Sequence, residues 1–160
     1  MVKLQVINLH TFPVDAIRRN DRVTGAENLF IYIGRKSSYS NVTSKKNKWG
    51  FVDVKDFSIF GNPYLIRPGG MTATEAVKEY ESYLLEIMKD RLHPLRTEFE
   101  NLFLYLTTIK NTCVYFICFC APRTCHGEVL IRYMYKNYLQ NKKGVGVIWS
   151  HQLKQILWKD

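Results

Sequence analysis

The chain has 160 residues, 46% of them hydrophobic and 14% aromatic, enough for one domain with a packed core and too few for two. That composition excludes a disordered chain, and no apolar run approaches the ~20 residues that span a bilayer. The net charge of +9 favours anionic partners: nucleotides, phosphorylated metabolites or nucleic acid.

The opening MVKLQVINLH has no small-residue cleavage site, so the expected location is the cytoplasm, where thiols stay reduced. Residues Lys3 to Leu9 read as a first strand. Val14 to Asn20 reads as a short helix. Leu29 to Ile33 (LFIYI) reads as a second strand ended by Gly34-Arg35, and Arg35 stands where a strand meets a loop, a good position for an anion contact. Lys36 to Lys48 is polar and partly basic and reads as a flexible loop or insertion, with Lys45, Lys46 and Lys48 available to a phosphate backbone. Trp49 to Phe60 has the aromatic and β-branched content of a strand or hairpin. Together, 36–60 is expected to be a polar insertion or hairpin.

Gly61-Asn62-Pro63-Tyr64 and Arg67-Pro68-Gly69-Gly70 are turns by their chemistry. Thr72 with Glu75 forms a capping box ahead of Ala76, Tyr80, Tyr83, Leu84 and Ile87 at helical spacing. A second helix is expected from His93 to about Ile109. After the central stretch come a short strand, Val145 to Trp149, and a terminal helix, His151 to Asp160. No repeat and no domain boundary interrupts 1–160. Strands alternating with helices predict a single three-layer α/β domain, Rossmann-like, with a mostly parallel sheet and helices on both faces.

The chemistry concentrates in Cys113 to Leu139, CVYFICFCAPRTCHGEVLIRYMYKNYL. Cys113 to Ala121 carries no charge and reads as a buried strand. Pro122 stops it, Arg123 to Gly127 makes a polar loop, and Glu128 opens a helix. In open α/β sheets ligands sit beside such loops, at the carboxyl ends of the strands. Alternation along the strand puts Cys118 and Cys120 on one face and turns Cys113 to the other. One reading is an anion pocket. Free N–H groups at the helix start near Gly127 attract phosphate, Arg123 adds a bidentate contact, and Gly127 lets the backbone come close. His126 at the mouth serves as acid or base, and Cys125 at the helix N-terminus is a nucleophile. A second reading is zinc held by Cys118, Cys120, Cys125 and His126. A third is thiols buried as core, with His126 capping the helix.

The segment CFCAPRTCHGEVL resembles the C-x-C-x-P-x-x-C-H-G-[DE]-x-[LI] signature of an uncharacterised domain family, a "domain of unknown function" found in bacteria and their phages. Tyr32-Ile33-Gly34-Arg35 is similar to that family's Y-I-G-R strand end, and Gly61-Asn62-Pro63-Tyr64 to its G-N-P-[FY] turn. Arg67 followed by a helix with Tyr80 matches more loosely. The resemblance covers about residues 30 to 135. It departs at 36–60, which separates two segments usually close together in the family. It implies a compact α/β domain of phage or bacterial cytoplasmic origin and brings no settled activity. It also implies that Arg35, Asn62, Cys120, Arg123, Cys125 and His126 share one site, to which Arg67 is added.

The leading functional expectation is an enzyme that hydrolyses or transfers a group on a nucleotide or related phosphorylated small molecule. Arg35, Arg67, Arg123, Gly127 and Cys120 would bind the anion, Asn62 would orient the substrate, and His126 and Cys125 would do the chemistry. On this expectation His126→Ala abolishes turnover and leaves the fold intact. Neither a GxGxxG nor a P-loop signature is present, which disfavours dinucleotide oxidoreductases and P-loop NTPases. The alternatives are a phage-type binding protein that sequesters a nucleotide or binds nucleic acid or a host protein, and a zinc-stabilised interaction module. No cofactor other than zinc and no membrane partner is expected.

Overall fold

The computed structural model describes residues 2–8, 27–43, 53–64, 69–118, 125–139 and 144–148. Five strands form one sheet: β1 (Val2–Asn8), β2 (Glu27–Tyr32), β3 (Lys55–Asp56), β4 (Thr112–Cys118) and β5 (Val145–Ile148). Their order is β3-β2-β4-β1-β5, and every pairing is parallel. The fold is therefore the α/β arrangement that the alternation of strand and helix predicts.

β4 is the central strand because its sequence lets it be. All seven of its residues are buried, as the uncharged run TCVYFIC requires of a strand covered on both faces. Cys113, Tyr115 and Ile117 join Ile7, Tyr32 and Val42 on one face. Val114, Phe116 and Cys118 join Leu4, Ile31, Ile33 and the larger helices on the other. Cys113 is thus plain core, on the side away from Cys118 and Cys125.

The segment read as loop or hairpin differs in its described part. Lys36–Ser38 is a 3-10 turn and Tyr39–Thr43 a short helix, α1. Val42 is fully buried and Tyr39 packs beside it. Tyr39 and Val42 are three apart, so one helical turn puts both on the sheet, and that burial outweighs the polar composition around them. The segment is then a crossover to β3, which pairs with β2 in parallel and not as a hairpin.

α2 (Ala73–Lys89) begins at the expected capping box: Thr72 accepts from the Glu75 amide, and the Glu75 side chain accepts from the Thr72 amide. α3 (Pro94–Thr108) follows, with Pro94 at its first turn and the His93 ring accepting from the Leu95 amide. α4 (His126–Met134) continues into a wider turn, Tyr135–Leu139. Residues of α2, α3 and α4 pack in the same core cluster, so these helices share one face and α1 takes the other. Crossovers of one hand require this. The β2–β3 link runs toward one sheet edge, while the β3–β4 and β4–β5 links run toward the other. Among the described residues no helix is long and apolar enough to cross a membrane. The expected helices at 14–20 and 151–160, and Lys45, Lys46, Lys48, Arg67, Cys120, Pro122 and Arg123, lie outside the described residues.

Candidate active site

The connections leaving β2 and β4, adjacent in the sheet, diverge: β2 leads outward to β3, and β4 leads past β1 to β5. Their carboxyl ends flank a topological switch point, where open α/β sheets place ligands. Three distant segments meet there. Ile33, just past β2, extends the pairing by donating its amide to the Ile117 carbonyl at 3.0 Å. Gly61 lies against the Gly34 carbonyl, so the turn at 61–64 stacks directly on the end of β2. Cys125 and His126, at the start of α4, close the group from the β4 side.

His126 is the junction. It is 2% exposed, and its Nε2 lies 2.7 Å from the Ile33 carbonyl oxygen. A carbonyl only accepts, so Nε2 carries the hydrogen, and the acceptor of the neutral form is then Nδ1. The ring packs edge to face with Tyr80 at 5.0 Å between centroids, and the Tyr80 hydroxyl donates to the Phe60 carbonyl at 2.8 Å. His126 is therefore inside the molecule, not at the mouth of the pocket.

Cys125 is the N-cap of α4. Its Sγ accepts from the Gly127 amide at 3.3 Å, and its carbonyl accepts from the Glu128 amide at 3.2 Å. Two of the N–H groups expected to cradle a phosphate, those of Gly127 and Glu128, are in this way turned onto Cys125 itself. The group that occupies this helix start is the Cys125 sulfur. His126 Nδ1 faces that sulfur at 3.9 Å. Cys118, at the end of β4, brings its Sγ to 2.9 Å from Cys125 Sγ and lies 3.7 Å from the Ile7 carbonyl oxygen. Cys118 is fully buried and Cys125 partly accessible.

Other expected residues take different roles. Gly127 is buried, and a Cβ there would stand 2.6 Å from Ile33 Cδ1 and 3.1 Å from Val6 Cγ2. Its missing side chain lets α4 close on the sheet. Both ends of the Asn62 amide are engaged: Oδ1 accepts from the Tyr64 amide at 2.9 Å, and Nδ2 donates to the Ala76 carbonyl at 3.3 Å. Asn62 closes its turn and ties it to α2. Arg35 is exposed, and its carbonyl accepts from the Tyr32 hydroxyl at 2.6 Å. Glu128, read only as the opening of a helix, is 5% exposed in the first turn of α4. Its sequence signal was the apolar context of Val129, Leu130 and Ile131. A separate cleft between α2 and α4, lined by Glu81, Leu84, Arg132 and Lys136 among others, contains neither Cys125 nor His126.

Among the described residues no group of three or more His, Cys, Asp and Glu side chains is arranged to hold a metal ion. Cys120, a member of the zinc set, lies outside them.

The site thus presents a partly accessible thiol, a backbone donor to its sulfur, a buried imidazole nitrogen facing it, and a second thiol alongside. No match was found among curated proteins or among solved structures. The family model described as "Domain of unknown function (DUF4326)" matches residues 16–136, most of the chain, and the protein belongs to that family.

Proposed function

We propose that the protein is a cysteine-dependent enzyme that hydrolyses or transfers a group on a nucleotide or related phosphorylated small molecule. One observation carries this reading: the Cys125 sulfur, at the switch point, is held between the Gly127 N–H at 3.3 Å and His126 Nδ1 at 3.9 Å. A nucleophilic thiol needs a donor that tolerates negative charge on sulfur and a base that removes the proton.

His126 takes the Cys125 proton on Nδ1 while Ile33 holds Nε2–H. The thiolate attacks the electrophilic centre of the substrate. The leaving group departs with the proton from Nδ1, and the transferred group stays on sulfur. Water, deprotonated by the same nitrogen, then cleaves the bond to sulfur and restores the thiol. The net charge of +9 and the exposed Arg35, two residues past Ile33, support a phosphorylated substrate. In this reading His126 also positions α4, so it serves both chemistry and fold.

The test is a panel of nucleoside phosphates and sugar phosphates, followed by 31P NMR and by intact mass of the protein. The expected result is turnover that Cys125→Ser abolishes with the circular dichroism unchanged, or an adduct on Cys125. Turnover indifferent to C125S overturns the reading. So does a bare protein with no turnover across the panel that binds DNA with a steep salt dependence, the behaviour of a nucleic-acid-binding protein.

A further inference from the structure

We propose that Cys118 and Cys125 are a redox pair. A hydroperoxide oxidises Cys125, and Cys118 then closes a disulfide onto it, which withdraws the Cys125 sulfur from chemistry until a dithiol reduces the bond. The inference rests on the same activated sulfur as the proposed function, but on no substrate.

The two sulfurs lie 2.9 Å apart, while a disulfide bond is about 2.0 Å long, so closure needs a shift of only about 1 Å. Their exposures differ in the useful direction. Cys125 is partly accessible, whereas Cys118 is fully buried at the end of β4. An oxidant from solvent therefore meets Cys125 first, with the Cys118 sulfur buried beside it. The Gly127 N–H and the facing His126 Nδ1 both lie against the Cys125 sulfur, the atom that a peroxide oxidises. Cys113 is on the opposite face of β4, packed with Ile7 and Tyr32, and provides an internal control.

The steps balance. The Cys125 thiolate and hydrogen peroxide give a sulfenic acid and hydroxide, with sulfur oxidised and the peroxide bond broken. The Cys118 thiol displaces water from the sulfenic acid as the sulfur–sulfur bond forms. A dithiol then exchanges with that bond and leaves oxidised, returning both protein thiols. While the disulfide stands, Cys125 carries neither a proton to give nor a lone nucleophile.

The experiment treats the reduced, substrate-free full chain with hydrogen peroxide, blocks remaining thiols, and maps peptides. Trypsin cleaves after Lys110, Arg123 and Arg132, which separates Cys125 from the other three cysteines, and fragment ions then name its partner. The expected product has lost a pair of hydrogens, links Cys125 to Cys118, and is reversed by dithiothreitol. Cys118→Ala is expected to stop at a sulfenic acid on Cys125 that dimedone traps. The idea is overturned if Cys118 stays alkylatable in wild-type protein whose Cys125 is oxidised, or if Cys120 is the partner. It is also overturned if the thiols resist peroxide until a chelator strips bound zinc. The wild-type map needs no variant, so misfolding of C118A does not blunt the test. Turnover that depends on Cys125 without this disulfide sinks the redox pair alone. The disulfide with turnover indifferent to C125S sinks the proposed function alone.

Discussion

His126 Nε2 donates to the carbonyl of Ile33 across 2.7 Å, joining the start of α4 to the end of β2 over 93 residues of chain. The bond is buried, so removing the ring leaves a carbonyl without its donor, at a cost of about 1–3 kcal/mol. His126→Ala is therefore expected to lower the urea midpoint as well as activity, unlike the purely catalytic expectation drawn from the sequence. His126→Gln, whose amide can still donate to Ile33, is expected to recover part of the stability. It is not expected to recover the iodoacetamide reaction rate of Cys125, which the proposed chemistry ties to Nδ1. If H126Q restores both equally, the imidazole has only a structural role.

Gly61 rests on backbone. A Cβ there would lie 2.9 Å from both the Gly34 and the Ser58 carbonyl oxygens, which belong to the backbone just past β2 and to the 3-10 turn Ser58–Phe60 and cannot rotate away. Gly61→Ala is expected to destabilise by about 1–3 kcal/mol, as overpacking does. Denaturant unfolding measures it, and a change within error would show that the two segments are not held in contact.

Gly127 tests a softer contact. Its added Cβ would meet Ile33 Cδ1 at 2.6 Å and Val6 at 3.1 Å. Ile33 Cδ1 is a side-chain end, but the residue is fully buried, so it has little room to move. Gly127→Ala alone is expected to cost about 1–3 kcal/mol. Combined with Ile33→Val, which removes the offending methyl, it is expected to cost less than the two singles added together. A double-mutant cycle reads the difference directly, and strict additivity would mean that α4 is displaced instead of Ile33.

The parts of this architecture that could be read from the chain are those written locally. The apolar run of β4 and the Thr72–Glu75 box each depend on a few neighbouring residues, and both appear where expected. The site is harder because its partners are backbone atoms brought together by topology. No spacing announces that the Ile33 carbonyl receives His126, or that Gly127 faces Val6. The helix start looked open to phosphate because a sequence does not show that the Cys125 sulfur and carbonyl already take the Gly127 and Glu128 amides. α1 was obscured by composition. Lys36, Ser37, Ser38 and Ser40 dominate the stretch, yet Tyr39 and Val42 at helical spacing were the available signal.

Three tyrosines tie stability to alkaline pH. Burial raises the pKa of Tyr39, Tyr83 and Tyr138 above the ordinary tyrosine value, helped by Asp56 beside Tyr39, Tyr64 beside Tyr83, and Tyr133 and Glu100 beside Tyr138 against a small opposing effect of Arg96. The folded chain thus holds these protons more tightly than the unfolded one. Their contribution is fully present below the unfolded value of about 10 and is lost as pH rises through the higher folded values. The urea midpoint is expected to fall as pH rises above about 10. Other groups also contribute at alkaline pH, so the discriminating measurement is the difference from the Tyr39→Phe, Tyr83→Phe, Tyr138→Phe triple variant. The tyrosine hydroxyls then no longer ionise in either state, and the fall is expected to be shallower. An equal fall in both proteins would place the alkaline loss elsewhere.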